Sequence, residues 1–437
     1  MNITHIEQSV VSGGIGGMQV AGTVESQFSP SNMSAFGTLE ASELTPVIQG
    51  DWVYGINTQI WNTPVVSGTG AAVDSNLSRL RIQSGTGAAN YAYITSKKIV
   101  RYRAGQGIVI RLTPLFSVGA ANSVQMWGAG AIAAHAPQDG YFFGYNGTAL
   151  GIFHYNHGSP TWIPQSSWNG DKVDGSAGTA FNWNPTFGTP AMIKYPYLGY
   201  GDIEFFLQNP ATGRWVLVHV IQYANTTPLV QLGNPSLQIV GYTANSGNTT
   251  NLTMYSGSVG AFISGMRSFA GNPKWAADSS NNAPGAPLIV KGLIQGSETC
   301  MLNLRNCTTY NGLPNRGALR LNSLSFGSSS NSNVLVRLAI GSTFNGTPVF
   351  TPISGSTANN GVTITNGNSI SSVDVAGTTV TARGIYIFNM SSGSNATNII
   401  DLEPFELFVN PSETLTISGQ SSANTNATCS INFSEDI

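Results

Sequence analysis

An Asn146-Gly147 pair between two aromatic runs is the feature that most constrains how this chain folds. The runs Tyr141–Tyr145 (YFFGY) and Leu150–Tyr155 (LGIFHY) have the length and composition of strands. Asn-Gly favours a type I′ turn, because both central residues of that turn need positive φ. The stretch from Asp139 to Asp174 is therefore predicted to form an aromatic β-hairpin that opens onto a polar, Trp-bearing loop.

The rest of the chain repeats the pattern of brief extended segments. Runs of four to eight residues such as Ile108–Thr113 alternate apolar and polar side chains, and Gly, Asn and Pro separate them. A composition break follows Trp275, where ADSSNNAPGAP begins. We predict an all-β fold with two tandem antiparallel β-sandwich or jelly-roll domains, at residues 36–275 and 276–437, preceded by an extended N-terminal arm at residues 1–35.

Charge is unusually scarce in this sequence. Asp, Glu, Lys and Arg make up 9% of its 437 residues, against about 25% in typical domains. Strand edges with few charges need closure, packing or oligomerisation to protect them. A formal charge of -2 disfavours nucleic acid and anionic membranes as partners. Residues 1–35 are rich in Gly and Ser and lack Lys and Arg, which indicates an arm that is ordered by neighbouring chains.

Aromatic residues in turn-rich sequence are the candidate ligand contacts. Sugar C–H faces pack on aromatic rings, and neighbouring Asn, Gln and Asp side chains can hydrogen-bond hydroxyls. The alternative is that these rings cap the sandwich or fill a subunit interface. The candidates for glycan contact are Trp162, Trp168, Trp183, Tyr195 and Tyr197.

One pair of carboxylates has a spacing of interest for catalysis. Asp202 and Glu204 are two apart, so on a strand they point to the same face, about 6.5–7 Å from each other. That distance lies between those of retaining and inverting glycosidases. The alternative is two solvent-side residues that alternate with buried neighbours. Since no second catalytic signature accompanies the pair, we predict no catalytic residues and no enzyme.

Metal and cofactor sites are not predicted. His154 and His157 would place their rings on opposite faces of a strand, and residues 169–175 have the composition of an Asx turn as much as of a cation loop. Cys300 and Cys307 have the spacing of a hairpin bridge, and Cys429 is a possible partner for either. The remaining alternative is three reduced, buried thiols.

Longer segments of the sequence resemble a known class of proteins. VIQGDWVYGINTQ, YRAGQGIVIRLTPLF, DGYFFGYNGTALGIFHY, TWIPQSSWNGD and FAGNPKWA are similar to a β-rich module in virion proteins of tailed phages and large DNA viruses. The ending LEPFELFVNPSETLTISGQSS resembles the C-terminal jelly roll of fibre and surface proteins. This resemblance implies a virion structural protein of fibre, spike or decoration type.

The resemblance also implies partners. We expect a homotrimer on the virion, contacts with other virion proteins through the arm, and a possible host-surface glycan as ligand. Two alternatives stay open: a carbohydrate-binding lectin module outside any virion, and a polysaccharide depolymerase that uses Asp202 and Glu204.

Overall fold

The computed structural model describes residues 44–265, 271–280, 290–329, 332–393 and 395–437. The chain divides into two compact units, Met1–Arg267 and Ser268–Ile437. Strands dominate both, and the helical turns in the described residues are the three-residue 3-10 segments Gln165–Ser167 and Glu403–Phe405. The prediction of an all-β chain with two antiparallel sandwiches is confirmed. The predicted arm lies outside the described residues.

The first unit is built from strands that mostly run antiparallel to their neighbours. They are β1 (Leu44–Asp51), β2 (Val65–Val66), β3 (Ala72–Asn76), β4 (Arg79–Gln83), β5 (Tyr91–Thr95), β6 (Ile108–Phe116), β7 (Ser123–Ala133), β8 (Ala136–Asn146), β9 (Ala149–Asn156), β10 (Ser159–Pro164), β11 (Ala191–Tyr195), β12 (Ile203–Gln208), β13 (Trp215–Ile221), β14 (Gln238–Asn245) and β15 (Thr253–Ser264).

Two sheets pack face to face in this unit. One has eight strands in the order β13-β12-β11-β6-β15-β4-β3, with β1 also paired to β15. The other has seven strands in the order β10-β9-β8-β7-β14-β5-β2. Their inner faces share a core rich in large rings, among them Trp52, Trp127 and Phe143. Alternate residues along each strand fill this core, so the other residues form the outer faces.

The aromatic hairpin predicted at residues 141–155 is present as β8 and β9. Its turn differs from the prediction, because Asn146 pairs with Ala149 and the loop residues are Gly147 and Thr148. Gly147 has φ +60°. Glycine in the first central position is the signature of a type II′ turn. Asn146 therefore ends β8, and only Gly147 of the Asn-Gly pair lies at the turn centre.

The second unit contains shorter strands and two six-stranded sheets. Its strands are β16 (Lys274–Asp278), β17 (Lys291–Leu293), β18 (Glu298–Asn306), β19 (Thr309–Tyr310), β20 (Leu313–Pro314), β21 (Ala318–Ser328), β22 (Val334–Ile340), β23 (Thr343–Phe344), β24 (Thr351–Pro352), β25 (Ser356–Ala358), β26 (Thr363–Thr365), β27 (Ser371–Asp374), β28 (Val380–Ala382), β29 (Ile385–Ser392), β30 (Thr397–Asp401), β31 (Phe408–Val409), β32 (Thr414–Ser421) and β33 (Thr425–Asp436).

One sheet of this unit follows β16-β33-β21-β30, with β17 on β33 and β31 on β21. The other follows β24-β27-β18-β32-β22-β29. A separate aliphatic core lies within this unit and includes Leu302, Leu338 and Ile417. Small sheets β20-β19-β26-β25 and β23-β28 complete the unit.

The division between units falls before the predicted boundary at residues 275 and 276. Strand β16 pairs with β33, and Trp275 packs against the second core. Residues 274–275 therefore belong to the second unit.

The three cysteines are free, buried thiols in that unit. No helix among the described residues has the length and apolarity that crossing a membrane requires.

Candidate functional site

The outer face of the seven-stranded sheet carries a contiguous group of aromatic rings. Side-chain alternation sends Tyr141 and Phe143 of β8 into the core and Phe142 outward. Strands β9, β10, β14 and β5 add further outward rings. We call the rings that these four strands contribute the aromatic face; they are Tyr91, Tyr93, Phe153, Tyr155, Trp162 and Tyr242.

The rings of the aromatic face contact one another across neighbouring strands. The ring centroid of Tyr93 is 6.1 Å from that of Tyr91 on the same strand and 6.0 Å from that of Tyr242 on β14, and both pairs are stacked. At the other edge, the centroids of Trp162 and Phe153 are 4.5 Å apart. Four of these rings are half-buried, so part of each remains open to solvent: Tyr91, Tyr93, Tyr155 and Trp162.

The β7–β8 hairpin folds back over this face. Tyr91 pairs with Ala244, which pairs with Val124 near the start of β7. β7 ends at Ala133, nine residues after Val124. If the strand were straight, the hairpin turn would therefore lie about 30 Å from Val124. Yet the ring of His135 in that turn stacks on Tyr91, with centroids 4.8 Å apart and planes at 20°. A register shift between Ala131 and Ile132 marks the bend.

The hairpin turn that carries His135 has the backbone conformation of a type I′ turn. Ala134 and His135 both have positive φ, +48° and +64°. Residues with a Cβ rarely adopt this conformation, and it persists only where the surroundings enforce it. The Tyr93 hydroxyl and His135 Nδ1 form a hydrogen bond of 3.0 Å. Stacking and hydrogen bonding thus hold the turn over the aromatic face.

Three tyrosines of the aromatic face, Tyr93, Tyr155 and Tyr242, have a raised pKa. Burial raises the pKa of Tyr93, and the neighbouring Tyr91 raises it further. The pKa of Tyr242 is raised by burial and then by Tyr155, Tyr93 and Tyr91. Burial also raises the pKa of Tyr155. Their hydroxyl groups therefore act as neutral hydrogen-bond donors and acceptors.

The structure separates the five aromatic residues singled out from the sequence. Trp168, Trp183 and Tyr195 are 2%, 4% and 0% exposed and belong to the core of the first unit. Phe143 contacts both tryptophans edge to face at 6.4 and 6.0 Å. These three rings have no free face for a sugar, so they fit the alternative of rings that fill the sandwich.

The other two predicted aromatics are more accessible. Trp162 lies on the aromatic face. Tyr197 packs edge to face on Tyr102 at 4.9 Å, and its hydroxyl donates to the Leu232 carbonyl at 3.1 Å. The tyrosines of β5 and β14 were missed because their only sequence signal is the alternation in Tyr91-Ala92-Tyr93 and Tyr242-Thr243-Ala244.

The carboxylate pair lies on the outer face of the other sheet. Asp202 Oδ1 accepts the backbone N–H of Tyr223 at 2.9 Å. Glu204 is opposite the buried Lys194 in the strand register. Burial raises the pKa of Glu204 to about 7, with Lys194 lowering it and Asp202 raising it. The Oε2 atom of Glu204 is buried and has no hydrogen-bond partner among the described residues.

The histidine and loop candidates for metal binding use their polar atoms within the protein. His154 is buried, and its Nε2 lies 2.6 Å from the Gln231 carbonyl. Asp171 accepts backbone N–H groups of Val173 and Ala180 at 2.8 and 2.6 Å. Over the described residues, no three His, Cys, Asp or Glu side chains are grouped to hold a metal ion.

Comparison with known proteins finds distant structural similarity. No family model matches the chain, and no curated protein matches it. A lectin from Bauhinia forficata in complex with GalNAc is 12% identical over 50% of this chain and 99% of that one, with a TM-score of 0.30. A legume lectin-like domain from Entamoeba histolytica is 10% identical over 47% and 90%, with a TM-score of 0.29.

The carbohydrate recognition domain of Emp47p is 12% identical over 52% of this chain and 99% of its own, with a TM-score of 0.31. At these identities and scores, the similarity says nothing about a ligand of this chain. A ligand is therefore inferred from the chain's own residues.

Proposed function

We propose that the first unit is a carbohydrate-binding domain and that the aromatic face is its ligand surface. The observation that carries this proposal is the group of half-buried rings on one outer sheet face. Outer faces of sheets in a protein of this polarity are expected to carry hydroxyl and amide side chains. A contiguous aromatic surface there is typical of an interaction site.

The chemistry of the aromatic face suits a neutral sugar. Half-buried rings such as Trp162 and Tyr91 offer apolar surfaces against which sugar C–H groups pack, and they lose little conformational entropy on binding. Tyrosine hydroxyls that stay protonated can donate to and accept from sugar hydroxyls. His135 overhangs the same rings and adds a polar group at one side.

A polysaccharide and oligosaccharide panel tests the proposal. The full chain is applied to immobilised neutral glycans, and retained glycans are titrated by calorimetry. Tyr91→Ala and Trp162→Ala should each weaken binding about tenfold or more, since one buried aromatic contact contributes about 1–3 kcal/mol.

Tyr54→Ala is the matched control for these variants. Tyr54 is a tyrosine of the same unit that is 100% exposed, and it lies outside the aromatic face. Its replacement should leave glycan binding unchanged. Absence of binding across the panel, or equal binding by the Tyr91 and Trp162 variants and the unaltered chain, contradicts the proposal.

We further propose that this domain acts on a virion surface, as the resemblance in residues 44–275 implies. Host attachment through a glycan would join the two roles. Mass spectrometry of purified particles tests the location, because a lectin that works outside the virion is missing from them. The homotrimer is implied by the same resemblance, and contacts through the arm are also indicated by the Gly- and Ser-rich composition of residues 1–35.

A further inference from the structure

A polar pocket in the second unit combines hydroxyl groups with an accessible guanidinium. It is an open depression of about 450 Å³, within the range of about 300–1,000 Å³ for small-molecule sites. Residues from the sheet and from the β28 segment line it, among them Ser297, Glu298, Thr379, Thr381, Arg383 and Gln420. The pocket lies entirely within the second unit and is separate from the aromatic face.

Strand pairing builds the two walls of this pocket. Glu298 at the start of β18 is opposite Gln420 of β32 in the register. Thr299 forms a bridge to Thr379, which brings the β28 segment alongside. Arg383 follows β28 directly, so its side chain reaches back to the carboxylate of Glu298. The position of Arg383 is therefore set by both walls.

A buried carboxylate orients the arginines of the pocket. Glu298 has a side chain that is 6% exposed, and its Oε2 accepts Arg337 Nη1 at 3.1 Å and Arg383 Nε at 2.6 Å. Its Oε1 accepts the Ser418 hydroxyl at 2.6 Å. Both oxygens of Glu298 are thus committed to protein donors. Arg337 does not line the pocket, but it belongs to the same ion-pair cluster, in which two arginines and one carboxylate leave one net positive charge.

The accessible part of that positive charge belongs to Arg383. The Arg383 side chain is 48% exposed, whereas Arg337 is 11% exposed. Arg383 hydrogen-bonds Glu298 through Nε and also has a side-chain hydrogen bond with Tyr386. These contacts fix the plane of the guanidinium and leave the rest of its five N–H donors for a ligand. A guanidinium fixed in this way matches the two oxygens of a carboxylate.

We propose that this pocket binds a sugar carboxylate, with a hexuronic acid as the ligand class. Arg383 pairs with the carboxylate, and the hydroxyl and amide groups of Ser297, Thr379, Thr381 and Gln420 bind the ring hydroxyls. Glu298 is a positioning residue that holds Arg383 and does not touch the ligand. This site is independent of the neutral-glycan surface proposed for the first unit.

Titration of the full chain with D-glucuronate, D-glucose and inorganic sulfate tests the proposal. Glucuronate should bind at least tenfold more tightly than either of the others. Arg383→Gln should weaken glucuronate binding about tenfold or more, since a hydrogen bond to a charged group is lost. Arg383→Lys keeps the charge without the planar donor pair and should give an intermediate loss.

Arg320→Gln is the matched control. Arg320 also pairs with a carboxylate, Glu403, at 3.6 Å, but it lies on β21 in the other sheet of the unit. This variant should bind glucuronate as the unaltered chain does. Equal affinity for glucose and glucuronate overturns the carboxylate assignment, and sulfate binding as tight as glucuronate overturns the sugar assignment. No detectable glucuronate binding overturns both.

Discussion

Replacing His135 by Ala tests whether the β7–β8 hairpin is held over the aromatic face. The substitution removes a stacked ring pair with Tyr91, which contributes about 0.5–1.5 kcal/mol. It also removes the 3.0 Å hydrogen bond to the Tyr93 hydroxyl, which contributes about 0.5–1.5 kcal/mol and less where water competes. We therefore expect the folded-back hairpin to lose about 1–2 kcal/mol relative to its open state.

Hydrogen exchange read by mass spectrometry measures that loss. Amides of residues 131–139 should exchange about 5–30 times faster in His135→Ala, because local opening follows the local free energy. Tyr93→Phe keeps both rings and loses only the hydroxyl, so it should accelerate exchange of the same amides less. The β8–β9 turn at Gly147 serves as the internal reference, and its exchange should not change.

Two outcomes would refute the reasoning about this hairpin. If exchange in residues 131–139 is unchanged in His135→Ala, the contacts with Tyr91 and Tyr93 do not hold the hairpin. If the β8–β9 turn accelerates equally, the substitution has destabilised the whole unit, and the hairpin has no separate opening.

Three further predictions concern stability and reactivity. The pKa of Glu204 in the folded chain is about 7, above its unfolded value, so the stability that its protonated form contributes is present below about pH 4.5 and is lost as the pH rises through 7. In denaturation experiments from pH 5 to 8, the unaltered chain should lose about 1–2 kcal/mol relative to Glu204→Gln, after a discount for partial exposure. A difference that stays constant with pH contradicts this prediction. In urea denaturation, Trp168→Ala should lower the free energy of unfolding of the first unit by about 3–5 kcal/mol, because it leaves a cavity in the core. The surface variant Tyr54→Ala should lower it by less than about 0.5 kcal/mol. Equal losses would place Trp168 outside the core. Thiol titration should find no reactive cysteine until the chain unfolds, because burial raises the pKa of Cys300, Cys307 and Cys429. The raised pKa is about 12 at Cys307 and Cys429. Fast labelling of the folded chain contradicts this prediction.

Local patterns were sufficient to predict the fold class and several of the strands. Alternation in Ile108–Thr113 appears as β6, and the two aromatic runs around Asn146-Gly147 appear as β8 and β9. The turn type was wrong, because the register that moved Asn146 into the strand is set by pairing along the whole hairpin. Hairpin existence is a local property, whereas register depends on tertiary contacts.

Exposure of individual aromatic residues was harder to predict. Trp162 and Trp168 both lie in turn-rich sequence, yet the first is half-buried on an outer face and the second is in the core. The difference arises because Trp168 packs against Phe143 on the inner side of β8. A loop that folds inward onto a sheet has the same local sequence as one that stays outside.

The centre of the candidate site depends on long-range contacts. Tyr91 and His135 are 44 positions apart in the chain (135 − 91), and their rings meet only because β7 and β8 bend back over the sheet. No motif in either segment signals this contact. The aromatic face is therefore a product of sheet order, and it emerges only when the strands are assembled.

Hydroxyl-radical footprinting of the full chain, with and without the most strongly retained neutral glycan, tests the central claim most directly. The ligand should protect Tyr91, Tyr155 and Trp162 from oxidation and leave Tyr54 and Tyr200 unprotected, because only the first three lie on the aromatic face with part of each ring open to solvent. Protection confined to Tyr54 or Tyr200, or none at all under saturating glycan, would contradict the account.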